Sequence, residues 1–302
     1  MVVVPLAGRK NITCSAVTLS IPDPNEPAAG GERVAAGDAG EIGGPEPLKS
    51  SAGPPQERLH PLGGPGEARV GGDDPVFDAA IVAMAALAEP GEAGNHIRRV
   101  QHYVRVLVHK LRDHATFAAV LSDDFISAMV RAAPMHDIGN SGVPDRILLK
   151  PGPLSDEEIA FIRTHPVMGR DVIDQIQLGA GVSSQFLELA RQIAYGHHEH
   201  WDGQGYPQGI TGEQIPLAAR IIAIADAYDA MTSQRVYRDG VAHDKAMQQI
   251  FQARGTQFDP DMVDALIEIQ DEYIAVARRF EDTERDLQRQ IDYMAKAIAE
   301  RP

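Results

Sequence analysis

Residues 95–114 read NHIRRVQHYVRVLVHKLRDH. Val100, Tyr103, Val104, Leu107, Val108 and Leu111 recur at i, i+3, i+4, i+7 and i+8, the period of one face of an α-helix. The same period governs the chain from Asp74 onward. Before this stretch, Phe77, Ile81, Met84 and Leu87 form an apolar stripe. After it, Ser155 with Glu158 makes a capping box that opens the helix SDEEIAFIRTH, which Pro166 interrupts just after His165. SSQFLELARQIAYGHH (183–198) is a further amphipathic helix. Pro216 stands as a first-turn proline before LAARIIAIADAYDAM, and Asp259-Pro260 opens DMVDALIEIQDEY. No strong run of alternating strand pattern occurs, so the fold class is all-α. Residues 271–302 are expected to continue as helix. Tyr273, Phe280, Leu287 and Met294 fall seven apart, with Ala277, Ile291 and Ile298 in the complementary seam and Glu284 spoiling one core position. Such a helix either packs on its own domain or makes a short coiled-coil contact in a homodimer.

Residues 1–72 differ in kind. IPDPNEPAAGGERVAAGDAGEIGGPEPLKSSAGPPQERLHPLGGPGEARVGG (21–72) is dominated by Gly, Pro, Ala and Glu, with no sustained apolar period. It cannot bury enough surface to offset chain entropy, and is expected to be disordered. The expected organisation is thus a disordered segment over 1–72, a helical domain over 73–273 and a helical extension over 274–302.

The 302 residues carry a net charge of −15, which argues against a DNA, RNA or anionic-lipid surface. An anionic ligand would need a metal cluster or paired arginines to override that field. The single cysteine, Cys14, excludes an internal disulfide framework and a cysteine-built zinc site, and fits a reducing compartment. No apolar run is long enough to span a bilayer and the N-terminal one, broken by Pro5, is a poor signal peptide, so the cytoplasm is the default location.

The chemistry-bearing residues are histidines and carboxylates. His96 stands near a helix start with Glu92 four residues before it. His136-Asp137 lies in APMHDIG, His165 ends one helix, and His197 and His198 close another. Asp226 lies in the apolar helix IIAIADAYDAM, where an unpaired carboxylate is costly to bury. Helical bundles build metal sites from such inward-projecting side chains, and mixed imidazole and carboxylate ligands suit Fe, Mn, Co, Ni or Zn. Eight ligands exceed one ion and suggest two or three sharing carboxylates. On spacing alone, a polynuclear site and a scatter of unrelated histidines both remain open.

HDIGNSGVPDRILLKPGPLSDEE (136–158), HHEHWDGQGYPQGITGEQIP (197–216), ADAYDAMTSQRVYR (225–238) and GTQFDPDMV (255–263) together resemble the HD-GYP family, metal-dependent phosphodiesterases of the HD superfamily that degrade cyclic di-GMP. The resemblance runs from about Phe77 to Tyr273. It implies an HD-type helical bundle holding two or three divalent ions, Fe or Mn foremost. The implied ligands are His96, His136, Asp137, His165, His197, His198 and Asp226, with Glu92 as the extra carboxylate of trinuclear members. It implies cyclic di-GMP as partner, with Asn140, Tyr206, Arg235 and Arg238 on substrate, and leaves room for signalling partners. The implied reaction is hydrolysis to linear pGpG, GMP or both. A metal-bridged hydroxide would attack phosphorus, with His136 and Asp137 at its centre. His197 and His198 are expected to diverge toward different ions. Gly205-Tyr206-Pro207 would bring the loop to the ligand, and Tyr206 would offer a ring face or hydroxyl. One departure matters. The family usually has lysine where this chain has Asn140, so the alternative is a weakly active or inactive cyclic di-GMP-binding module.

Overall fold

The computed structural model describes residues 75–299 apart from 91, 93, 94, 151, 182 and 236–238. The segment 1–72 and Arg238 lie outside the described residues. Those described contain no β-strand, and none of their helices is long and apolar enough to cross a membrane. The helices are α1 (Pro75–Ala88), α2 (His96–Leu111), α3 (Asp123–Ala132), α4 (Asp145–Leu148), α5 (Asp156–Ile162), α6 (His165–Ala180), α7 (Gln185–Gly196), α8 (Leu217–Thr232), α9 (His243–Gln252), α10 (Pro260–Glu268), α11 (Gln270–Arg279) and α12 (Glu284–Ala299).

The apolar stripe of α2 is buried along its whole length, against α3, α8, α10 and α11. Helix α8 is buried almost all round, which is what a helix with apolar residues on every face requires. Three tyrosines join α2, α8 and α11 at the centre. Tyr103 and Tyr273 stack with centroids 4.6 Å apart, and Tyr228 meets them edge-on at 5.1 and 5.0 Å. These are the offset and T-shaped geometries that aromatic quadrupoles favour. Capping follows the sequence closely: Ser155 and Glu158 form a reciprocal capping box on α5, and Asp259 with Pro260 opens α10.

Three expectations are corrected. The buried face of α1 is Ile81, Ala85 and Ala88, whereas Met84 and Leu87 are 46% and 80% exposed. His165 does not end a helix. α5 stops at Ile162 and His165 opens α6, with Pro166 in its first turn, where a missing N–H costs nothing. The tail is not one helix. It breaks between Arg279 and Glu284, where Thr283 and Asp286 bond each other's N–H and side chain at 2.6 to 3.3 Å and start α12 afresh. The seven-residue seam is therefore interrupted, and its members Tyr273 and Met294 are buried within the chain itself. Tyr273, the expected domain end, lies inside α11.

Candidate metal centre

Each histidine of the site is placed by helix ends packed close together. Residues 138–142 form a 3-10 turn that brings Asp137 against the start of α6. Gly139 is what permits this approach: a Cβ there would stand 2.0 Å from the carbonyl oxygen of His165. His197 caps the C-terminus of α7, and His198 follows it.

Four imidazoles have Nδ1 engaged from behind. His136 Nδ1 faces the Ala133 carbonyl at 3.1 Å, His165 Nδ1 that of Ile162 at 2.8 Å, and His197 Nδ1 those of Ile193 and Ala194 at 3.0 and 3.2 Å. His96 Nδ1 faces Asp229 Oδ2 at 2.8 Å. A carbonyl can only accept, so Nδ1 carries the proton and the Nε2 lone pair is free to face an ion. Backbone spacing alone sets three of these orientations.

The free atoms gather into two adjoining buried groups, one of Asp137, His165, His197 and His198, the other of Glu89, His96 and His136. In the first, His165 and His197 Nε2 stand 3.1 and 3.4 Å from Asp137 Oδ1 and 3.3 Å from each other. In the second, Glu89 Oε2 lies 3.3 Å from His96 Nε2. Ligand bonds of about 2.1 Å put neighbouring donors about 3.0–3.4 Å apart at octahedral or tetrahedral angles, so Asp137, His165 and His197 in the first group, and Glu89 and His96 in the second, have the spacing of a coordination sphere. Asp137 links the two groups, with Oδ2 3.9 Å from His136 Nε2. Asp226 joins the second group, its Oδ1 3.9 Å from both His96 and His136 Nε2. Glu89 Oε1 and Oε2, His136 Nε2 and Asp226 Oδ1 are buried with no hydrogen-bond partner. Orphaned buried polar atoms are costly unless something completes them, and a divalent cation would do so here. The residues present fit such ions.

Burial drives the Glu89 carboxyl well above its ordinary range, countered by His96. Burial disfavours protonated His96, but its hydrogen bond to Asp229, with the charges of Glu89 and Asp229, outweighs this and pushes its pKa up to about 10. Burial lowers His136, and lowers His198 strongly with help from its imidazole neighbours. Burial raises Asp137, yet the flanking His165 and His136 hold it well below the carboxylate range.

The sequence-derived ligands His96, His136, Asp137, His165, His197, His198 and Asp226 all come together, and all are buried. Two details differ. His197 and His198 converge on one group, with ring centroids 4.0 Å apart, and do not diverge. Glu92 forms an ion pair with Arg235, and it is Glu89 that stands beside His96. Glu89 continues the true buried face of α1, at i+8 from Ile81 with Ala85 and Ala88 between. Choosing the Met84 and Leu87 face hid that signal.

Of the expected substrate residues, Asn140 is 4% exposed, with Oδ1 buried and unbonded in the wall of the site. Tyr206 is turned inward. Its ring stacks on His198 at 4.8 Å, and the Arg163 guanidinium lies 5.1 Å from its centroid. The loop is pinned from two sides. A Cβ on Gly205 would stand 2.2 Å from the His200 nitrogen and 2.5 Å from the His198 carbonyl. Buried Glu199 accepts the N–H groups of Gln208 at 2.7 Å and Gly209 at 3.0 Å. Sequence reasoning missed Glu199, whose only signal was its place between the paired histidines and the glycine-rich turn. A cavity of about 270 Å³ opens beside Glu89 and Glu92, with Arg289, Gln290 and Tyr293 of α12 on its other wall.

A family model described as HD domain matches residues 84–262. A probable cyclic di-GMP phosphodiesterase of Vibrio cholerae is 43% identical over 218 residues, 72% of this chain and 49% of the relative. A cyclic di-GMP phosphodiesterase of Thermotoga maritima is 38% identical over 54% of this chain and 42% of its own length. A 3′3′-cGAMP-specific phosphodiesterase of Vibrio cholerae is 33% identical over 67% of this chain and 36% of its own length. The chain thus spans about half, or less, of the curated relatives it matches.

Proposed function

Because the chain belongs to the HD domain family, we propose that it is a metal-dependent phosphodiesterase of the HD-GYP type that hydrolyses cyclic di-GMP to pGpG, GMP or both. The observation that carries this reading is the pair of adjoining buried donor groups linked by Asp137, with Asp226 beside the second. Paired divalent ions supply Lewis acidity to a phosphoryl oxygen and a water of lowered pKa, without a covalent enzyme intermediate.

The chain's own residues do the rest. Asp137, His165, His197 and His198 would hold one ion, and Glu89, His96 and His136 another. Asp226 stands beside His96 and His136 and would add a carboxylate to the second ion, while Asp137 reaches toward both. Carbonyls behind His136, His165 and His197 keep each Nε2 aimed at the site. Arg235, pinned by Glu92, and Arg238 would hold phosphate, and Asn140 would donate one hydrogen bond to it. Tyr206 is assigned to bracing His198, in place of stacking on a purine. The preferred ions are Fe or Mn, the setting is the cytoplasm, and a homodimer or signalling partner would deliver the input.

A second reading is a messenger-binding module with slow turnover. Asn140 favours it, since a neutral amide replaces a charge-assisted phosphate contact worth roughly 1–3 kcal/mol. The test is anaerobic purification, metal analysis and product chromatography with cyclic di-GMP and, in parallel, 3′3′-cGAMP. Metal-dependent formation of pGpG or GMP supports the first reading. Binding of cyclic di-GMP by metal-loaded protein without product supports the second.

A further inference from the structure

His96 differs from the other ligands in what stands behind it. Its Nδ1 meets a carboxylate, Asp229, where those of His136, His165 and His197 meet carbonyls. Asp229 is fully buried and is held by a second group. Arg99 Nε reaches its Oδ1 at 2.6 Å and Arg99 Nη2 its Oδ2 at 3.1 Å, a two-point clamp. The spacing comes from two helices. His96 and Arg99 lie three apart on α2, and Asp226 and Asp229 three apart on α8, so each pair shares one face. The nearer turn faces the site and the farther turn backs it. Arg99 is in turn fixed from outside the domain's expected end. Its Nη1 donates to the Phe280 carbonyl and to Asp282 Oδ2, each at 2.9 Å. Phe280 and Asp282 lie in the break between α11 and α12. Arg99 and His96 hold Asp229 well below the carboxylate range despite its burial.

We propose that Asp229 and Arg99 are positioning residues for His96, and that Phe280 and Asp282 complete the same support. The C-terminal segment would thereby control how tightly the ion beside Glu89, His96 and His136 is held. The proposal rests on the reading of two metal-binding groups given above. Asp229 fixes the imidazole ring and tautomer, Arg99 keeps Asp229 from turning into the site as a competing ligand, and the 280–282 break anchors Arg99. The group around Asp137 has no share in this network and is expected to be indifferent to it.

The test uses the full chain and Mn²⁺ alone, with no nucleotide. Calorimetric titration would be run on wild type, Asp229→Asn, Arg99→Lys and Asp282→Asn, with helical content followed by circular dichroism. Wild type is expected to take up at least two ions. Asp229→Asn is expected to weaken one of them by about 10–100-fold, the usual cost of losing a partner behind a ligand, and to leave the other unchanged. Asp282→Asn is expected to weaken the same ion by a smaller factor, and Arg99→Lys to fall between. If Asp229→Asn does not fold, the other two variants carry the test. Folded variants with a lowered melting temperature but both affinities unchanged would overturn the proposal and leave the metal reading standing. Equal weakening of both ions would overturn it too. A wild type that binds no Mn²⁺ would overturn the metal reading along with it.

Discussion

The two donor groups are built by different means. The group of Asp137, His165, His197 and His198 comes from chain ends that meet over short range, at the 138–142 turn, the start of α6 and the end of α7. Local backbone does the aiming: the carbonyls behind His165 and His197 lie only three or four residues away. The group of Glu89, His96 and His136 is drawn from α1, α2 and the turn after α3. His96 is held by a carboxylate 133 residues downstream. The first group is thus aimed by local backbone, whereas the second shares that support at His136 but depends at His96 on a long-range charge network, so the first is expected to survive perturbations of that network that weaken the second.

The largest effect is expected where the distinction vanishes. Asp137 touches both groups, at 3.1 Å from His165 and 3.9 Å from His136. Asp137→Ala should remove metal from both and abolish turnover, as read by metal analysis and product chromatography on one sample. Next comes Glu89→Gln against Glu92→Gln. The first removes the anionic donor beside His96 and should reduce metal content to that of one group. The second should leave metal content intact and weaken nucleotide binding through Arg235, as a paired titration with Mn²⁺ and cyclic di-GMP would show.

The residues of the first group were named by the resemblance of their motifs to the HD-GYP family; on spacing alone, a polynuclear site and a scatter of unrelated histidines both stood open. Glu89 was not legible, because its identity depends on which face of α1 is buried. Ala85 and Ala88 signal burial weakly beside the larger Met84 and Leu87, which are exposed. The Asp229–Arg99–Asp282 network was illegible for a related reason. Charged residues on an amphipathic helix read as solvated until the packing of α2, α8 and the 280–283 break is known. The break itself was masked by the seven-residue spacing of Tyr273, Phe280, Leu287 and Met294, although Thr283 and Asp286 carry a capping signal.

Smaller effects sharpen the contrast from the substrate side. Asn140→Lys should raise catalytic efficiency by about tenfold, the equivalent of about 1.4 kcal/mol for a restored charge contact. Metal content should not change, and the gain should shrink as salt rises. Glu199→Gln keeps an acceptor for one of the two loop N–H groups but removes the charge. It should weaken cyclic di-GMP binding several-fold through the 205–209 loop while leaving Mn²⁺ affinity unchanged, as calorimetry with each ligand in turn would show.

The most direct test is a single sample of the 302-residue chain, purified without oxygen and loaded with Mn²⁺, on which metal per chain and hydrolysis of cyclic di-GMP are measured together. Two or more ions per chain with product formation that chelation abolishes and Mn²⁺ restores is the expected result. Two ions per chain with cyclic di-GMP left intact, or hydrolysis that persists after the ions are stripped, would contradict it.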